Sequence, residues 1–186
     1  VYYRTEGRQL QRIGELQRAA AAFRRAIQLK PDYAEAHNNL GLVLQEQNNI
    51  SEAIAHYQQA LDLRPGFVEA CYNMGLALQE QGRLEEAIAH YKQALELKPD
   101  LAVACNNLGN IYQERNQPDD AITYYEKAVS LEPDYPEAYN NMGNPLQKLG
   151  RLNEAIACYR KAISLNPDYI DAYNNLGQAL QKQDGL

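Results

Sequence analysis

Residues 68–101 read VEACYNMGLALQEQGRLEEAIAHYKQALELKPDL, and this stretch decides the fold. Ala70, Met74, Ala77 and Leu78 recur at three- and four-residue steps, the spacing of one face of an α-helix. Gln81-Gly82 interrupts the pattern, and glycine readily adopts the left-handed conformation that closes a helix. Leu84, Ala87, Ile88, Tyr91, Ala94 and Leu95 then resume the helical spacing. The second segment stops at Lys98-Pro99-Asp100, because proline cannot donate to the helix ladder and biases the preceding residue away from helix. The stretch predicts a hairpin of two amphipathic helices.

Outward from this unit, the same pattern recurs every 34 residues, as Pro31, Pro65, Pro99, Pro133 and Pro167 show. Gly7, Gly41, Gly75, Gly109, Gly143 and Gly177 keep that period, and so do the aromatic residues Phe23, Tyr57, Tyr91, Tyr125 and Tyr159. The turn column contains only glycine and asparagine: Gly14, Asn48, Gly82, Asn116 and Gly150. Small residues at the glycine and alanine columns let two helices approach closely, with the aromatic column filling the space beside them. The expected architecture is all-α, one solenoid domain over residues 1–186. Its units are 1–33, 34–67, 68–101, 102–135 and 136–169, five hairpins in all, followed by a final first helix at 170–186. Pro118 and Pro136 fall where helices should start, whereas Pro145 lies inside a first helix and is expected to remove a hydrogen bond to the carbonyl of Asn141.

Leu108-Gly109, Tyr112, Ala121, Tyr125, Ala128 and Pro133 carry a family likeness. They resemble the tetratricopeptide repeat (TPR), a 34-residue helix–turn–helix unit, with Cys105 in its tryptophan slot. The resemblance covers the whole chain. It implies a right-handed superhelix whose first helices line a concave, peptide-binding groove. Glu6 departs from the pattern, standing where the family has leucine, as suits a terminal repeat with one face in water.

Composition narrows the function. The net charge is −6, and the first 33 residues carry seven basic against three acidic side chains, so the acidity lies in the remainder. An acidic body lacks the basic footprint of a nucleic-acid binder. No apolar run approaches the ~18 residues of a membrane span. Cys71, Cys105 and Cys158 form neither a CxxC pair nor an even set, so they read as small apolar residues in a reducing compartment, and a cytoplasmic location is expected. His37, His56 and His90 show no metal-binding spacing and read as satisfied core or boundary residues. No catalytic constellation, cofactor fingerprint or metal site is legible, so the chain reads as a binder and not an enzyme.

The candidate site is polar. Asn39, Asn73, Asn107, Asn141 and Asn175 recur at the repeat period, beside Asn38, Tyr72, Asn106, Asn140 and Asn174. Asparagine is a mediocre helix former, so its recurrence needs a reason. Two reasons fit: hydrogen bonding between repeats, or a ladder of amides that clasps the backbone of an extended peptide, since an amide both donates and accepts. Asn110 and Asn144 extend the same face, as do Gln45, Gln79, Gln113 and Gln147. Arg4, Arg8 and Arg12 line up at four-residue steps in the first helix. With Glu46, Glu80, Glu114, Lys148 and Lys182, they predict a face that is basic, then acidic, then basic again.

The asparagine column directly before Leu/Met-Gly resembles the TPR superhelix of the O-linked N-acetylglucosamine transferases. The leading expectation is a protein-interaction scaffold that binds a protein or peptide. The alternative is a substrate-recruiting arm of a larger enzyme such as a glycosyltransferase, because the chain starts without Met and stops mid-pattern. A carboxylate clamp of the co-chaperone kind is disfavoured, since Glu69 and Asn73 stand where basic residues are required. Leu176 and Leu180 of the last helix are expected to be partly uncovered and to support weak self-association.

Overall fold

The computed structural model describes the backbone of residues 2–185 and the side chains of residues 13–185. Ten helices and no strand occur among the described residues. They fall into two compact units, residues 1–97 and 98–186. The first unit holds α1 (Tyr2–Leu29), α2 (Ala34–Glu46), α3 (Ile50–Leu63), α4 (Val68–Glu80) and α5 (Leu84–Leu97). The second holds α6 (Ala102–Glu114), α7 (Pro118–Leu131), α8 (Pro136–Lys148), α9 (Leu152–Leu165) and α10 (Ile170–Gln183). Each unit contains two hairpins, α2–α3 and α4–α5 in the first, α6–α7 and α8–α9 in the second.

The turns follow the expected chemistry in four of five places. Asn48 and Asn116 both take φ 61°, and Gly82 and Gly150 take 73° and 75°. The amide after each turn residue reaches back to close the helix, Asn49 to the Leu44 carbonyl at 2.8 Å and Gln117 to that of Tyr112 at 2.8 Å. This is the bond that satisfies an orphan carbonyl at a helix end.

The fifth place corrects the sequence reading: α1 runs unbroken from Tyr2 through Gly14 to Leu29, so this segment is one helix and not a hairpin. The cause lies in the composition of the segment. Glu6 and Gln9 occupy positions filled by Met74 and Ala77 in the 68–101 unit, and Tyr2 stands where that unit has Ala70. Little apolar area would be gained by folding the segment back, and an uninterrupted helix keeps its own hydrogen bonds. Pro145 is tolerated: α8 continues through it to Lys148, and its ring is fully buried.

Each of the four hairpins closes on one contact. Tyr57, Tyr91, Tyr125 and Tyr159 are wholly buried, and each ring lies against the glycine of its partner helix. A methyl group added at Gly41, Gly75, Gly109 or Gly143 would lie 2.4–2.7 Å from the nearest ring carbon. Ala53, Ala60, Ala87, Ala94, Ala121, Ala128, Ala155 and Ala162 flank the rings and are equally buried. In the second unit, Leu176 and Leu180 of α10 are partly buried against the core formed by Ile122, Tyr125, Met142, Leu146, Ile156 and Tyr159. Both thus stay partly uncovered, and Ile170 and Tyr173 are the more exposed apolar side chains of α10.

Two glycines at equivalent register separate close packing from helix propensity. Gly143→Ala forces the Tyr159 ring to move and should lower stability by about 1–3 kcal/mol. At Gly177 nothing lies within 4 Å of the added carbon, so Gly177→Ala should be neutral or stabilise α10 by up to ~1 kcal/mol. Urea unfolding of the two variants checks the sign of each.

Candidate functional site

The amide columns lie on the first helices, α2 and α4 in one unit and α6, α8 and α10 in the other. The two columns bond to each other across neighbouring helices. Asn73 donates to the Asn38 carbonyl oxygen at 3.0 Å, Asn141 to that of Asn106 at 3.2 Å, and Asn175 to that of Asn140 at 2.9 Å. Each bond spans 35 residues, one more than the repeat, which is why the asparagines come as doublets. Asn38, Asn73, Asn106 and Asn140 are 5–8% exposed, so the fold uses these four amides itself. Asn39, Asn107, Asn110, Asn141, Asn144 and Asn175 stay partly exposed and Asn174 exposed. Tyr72 is half-buried, its ring 5.8 Å from that of Tyr91.

A second set of bonds was not foreseen. The buried tyrosines donate their hydroxyls to the glutamine column: Tyr57 to Gln45 and Tyr91 to Gln79 at 2.9 Å, Tyr125 to Gln113 at 3.3 Å and Tyr159 to Gln147 at 3.2 Å. In the second unit the same hydroxyls also reach Asn110 at 2.7 Å and Asn144 at 2.9 Å. The signal was the constant 12-residue offset between the two columns. Burial pushes the phenol of Tyr159 up to about 12, and those of Tyr57 and Tyr125 higher still, with Glu80 adding to the effect at Tyr57. These hydroxyls are fixed donors at neutral pH.

The charge column is exposed at Glu46, Glu80, Glu114, Lys148 and Lys182. Gln45 donates to Glu80 at 2.6 Å, and the Lys148 ammonium donates to Asn116. Glu35 pairs with Arg64, whose hydrogen bond holds its carboxyl below the usual range. The side chains of Arg4, Arg8 and Arg12 lie outside the described residues.

The cysteines are free, and burial raises all three thiols, that of Cys158 to about 11. Among the described residues no group of three or more His, Cys, Asp or Glu could hold a metal ion. Two histidines nevertheless meet: the Nδ1 atoms of His37 and His56 are 3.1 Å apart. His37 Nε2 lies 3.3 Å from the Pro31 carbonyl, which can only accept, so Nε2 carries the proton in that bond. Neutral His37 then accepts at Nδ1, and His56 donates from its own. The third histidine differs from the expected satisfied side chain, because His90 Nδ1 is buried without a hydrogen-bond partner.

Two-helix units closed by glycine–tyrosine contacts and joined by amide bonds define a helical-repeat protein. Family models described as Tetratricopeptide repeat match residues 4–66, 68–131 and 124–157, and one described as TPR repeat matches 146–184. Together they leave only residue 67 uncovered between residues 4 and 184, and the chain belongs to the tetratricopeptide repeat family. Among solved structures, MamA is similar with a TM-score of 0.78 and 25% identity over 86% of this chain and 93% of that one. YrrB, described as a TPR protein with an unusual peptide-binding site, has a TM-score of 0.75 and 27% identity over 89% of this chain and 85% of its own. No curated protein sequence matches the chain. Among the described residues no helix is long and apolar enough to cross a membrane.

The histidine pair carries a pH prediction. Burial first, and then the neighbouring His37, depress the basicity of His56, against the opposing charge of Glu52; burial likewise depresses His90. The unfolded chain therefore binds more protons than the folded one below about pH 6.5, and stability falls as pH falls through that value. Melting temperature should drop between about pH 7.5 and about pH 5.5, and His56→Gln should flatten the drop. An equal slope in that variant would exclude the pair as its source.

Proposed function

We propose that the chain is a protein-interaction scaffold that holds an extended peptide along the exposed faces of its first helices. The observation that carries this reading is the fixed orientation of the partly exposed amides. Asn141 bonds at 3.2 Å to both Asn106 and Asn110, and Asn110 is itself held by Tyr125. Amides already locked by the fold lose little freedom on binding, so more of their hydrogen-bond energy appears as affinity. A peptide backbone offers the complementary carbonyls and amides at every residue, whatever its side chains. The peptide-binding site in the description of YrrB is consistent with this use of the fold. The candidate contact residues are Asn39, Asn107, Asn110, Asn141, Asn144, Asn174 and Asn175.

Asn107→Ala combined with Asn141→Ala should weaken binding of a peptide selected on the parent chain from a random library by about tenfold or more, the range of one or two lost hydrogen bonds. Loss of the Asn141 bonds should also lower stability by about 1–2 kcal/mol, with the helical circular dichroism retained at 25 °C. A variant that stays folded and binds normally would exclude the amides as the contact surface.

A weaker self-association through α10 is also proposed. It rests on the exposure of Ile170 (73%) and Tyr173 (51%) and on the open side of Gly177. Sedimentation should show concentration-dependent dimers, diminished in Ile170→Lys/Tyr173→Glu. A parent chain that stays monomeric at high concentration rules it out.

A further inference from the structure

We propose that the α2–α4 face of the first unit selects a lysine or arginine side chain in the bound segment; this rests on the peptide-binding reading above. Leu42, Gln45, Glu46, Leu76 and Glu80 line a cavity of about 290 Å³. Leu42 is 40% exposed, although it lies in the middle of a helix whose other leucines, Leu40 and Leu44, are buried. Leu42 and Glu46 are one turn apart on α2, and Leu76 and Glu80 stand in the same relation on α4. An apolar pair is therefore followed, about one helical pitch (~5.4 Å) further on, by a carboxylate pair. Gln45 holds the Glu80 carboxylate by a 2.6 Å bond from α2.

A purely apolar side chain would use the leucines and bring nothing to the carboxylates. An acidic one would be repelled. A long basic side chain meets both: its methylene stem covers Leu42 and Leu76, and its cationic head reaches Glu46 and Glu80. The same register in the second unit lacks this combination. Asn110 and Asn144 replace the leucines there, and the charged pair is Glu114 with Lys148. The selectivity is thus a property of the first unit and not of the repeat.

The test uses the full chain and pools of short fluorescein-labelled peptides, random except for one central residue fixed as lysine, arginine, norleucine or glutamate. At low ionic strength the lysine and arginine pools should bind about five- to tenfold more tightly than the glutamate pool, with norleucine between, and added salt should narrow the gap. Glu46→Gln/Glu80→Gln should reduce the lysine pool to the norleucine level. Leu42→Ser/Leu76→Ser should weaken the lysine and norleucine pools alike. Pools that bind equally to the parent chain overturn the selectivity and leave the peptide-binding reading standing. If no pool binds, both are overturned.

Discussion

A tyrosine ring laid against a bare glycine is the contact on which every hairpin rests. Burying a tyrosine removes on the order of 150–250 Å² from water, a gross gain of roughly 4–6 kcal/mol, whereas its hydroxyl bond to glutamine contributes about 1 kcal/mol. The ring sets the distance between the two helices, and the hydroxyl sets their rotation. Because Tyr125 and Tyr159 end on Gln113, Asn110, Gln147 and Asn144, the burial that closes the hairpin also fixes the polar face of its first helix. Fold and polar face are coupled through one side chain per repeat.

The repeat was legible because its columns are strict, and a residue that recurs at one register meets the same neighbours each time. Gly82 and Gly150 showed their turns for that reason. Gly14 misled, because glycine permits a left-handed turn without requiring one. The turn forms where two apolar faces gain by meeting, and Glu6 and Gln9 remove that gain. The amide bonds were only half legible. Alignment by a 34-residue period places Asn73 beside Asn39, while the bond runs to Asn38, one residue earlier. The meeting of His37 and His56 was not legible, because their separation of 19 is neither a helical step nor the repeat length. It depends on how α2 crosses α3.

The positions that distinguish the two units lie on the exposed and half-exposed face of the first helices. Leu42 and Leu76 share a register with Asn110 and Asn144, and Glu46 and Glu80 share one with Glu114 and Lys148. A change at the charged register leaves the tyrosine, glycine and alanine contacts untouched, so the charges of the first helices can diverge at little cost to the fold, whereas Asn110 and Asn144 are tied to the hydroxyls of Tyr125 and Tyr159. Weak ion pairs at such exposed sites add little to stability but set which partner is attracted.

The lengths of the two bond systems bear on how such a gene can change. Glycine, tyrosine and glutamine all lie inside one repeat, while the asparagine bond reaches one repeat plus one residue. Duplication or loss of a whole 34-residue block keeps the register of both, because the new junction restores the same offsets, and the asparagine bond returns wherever the junction does not bring in Arg4 or Tyr72, which stand at the Asn38 register. Gain or loss of part of a block breaks both at once. Unequal crossing-over among such repeats would then yield working proteins of different length, and copy number would be the easiest trait of this chain for selection to alter.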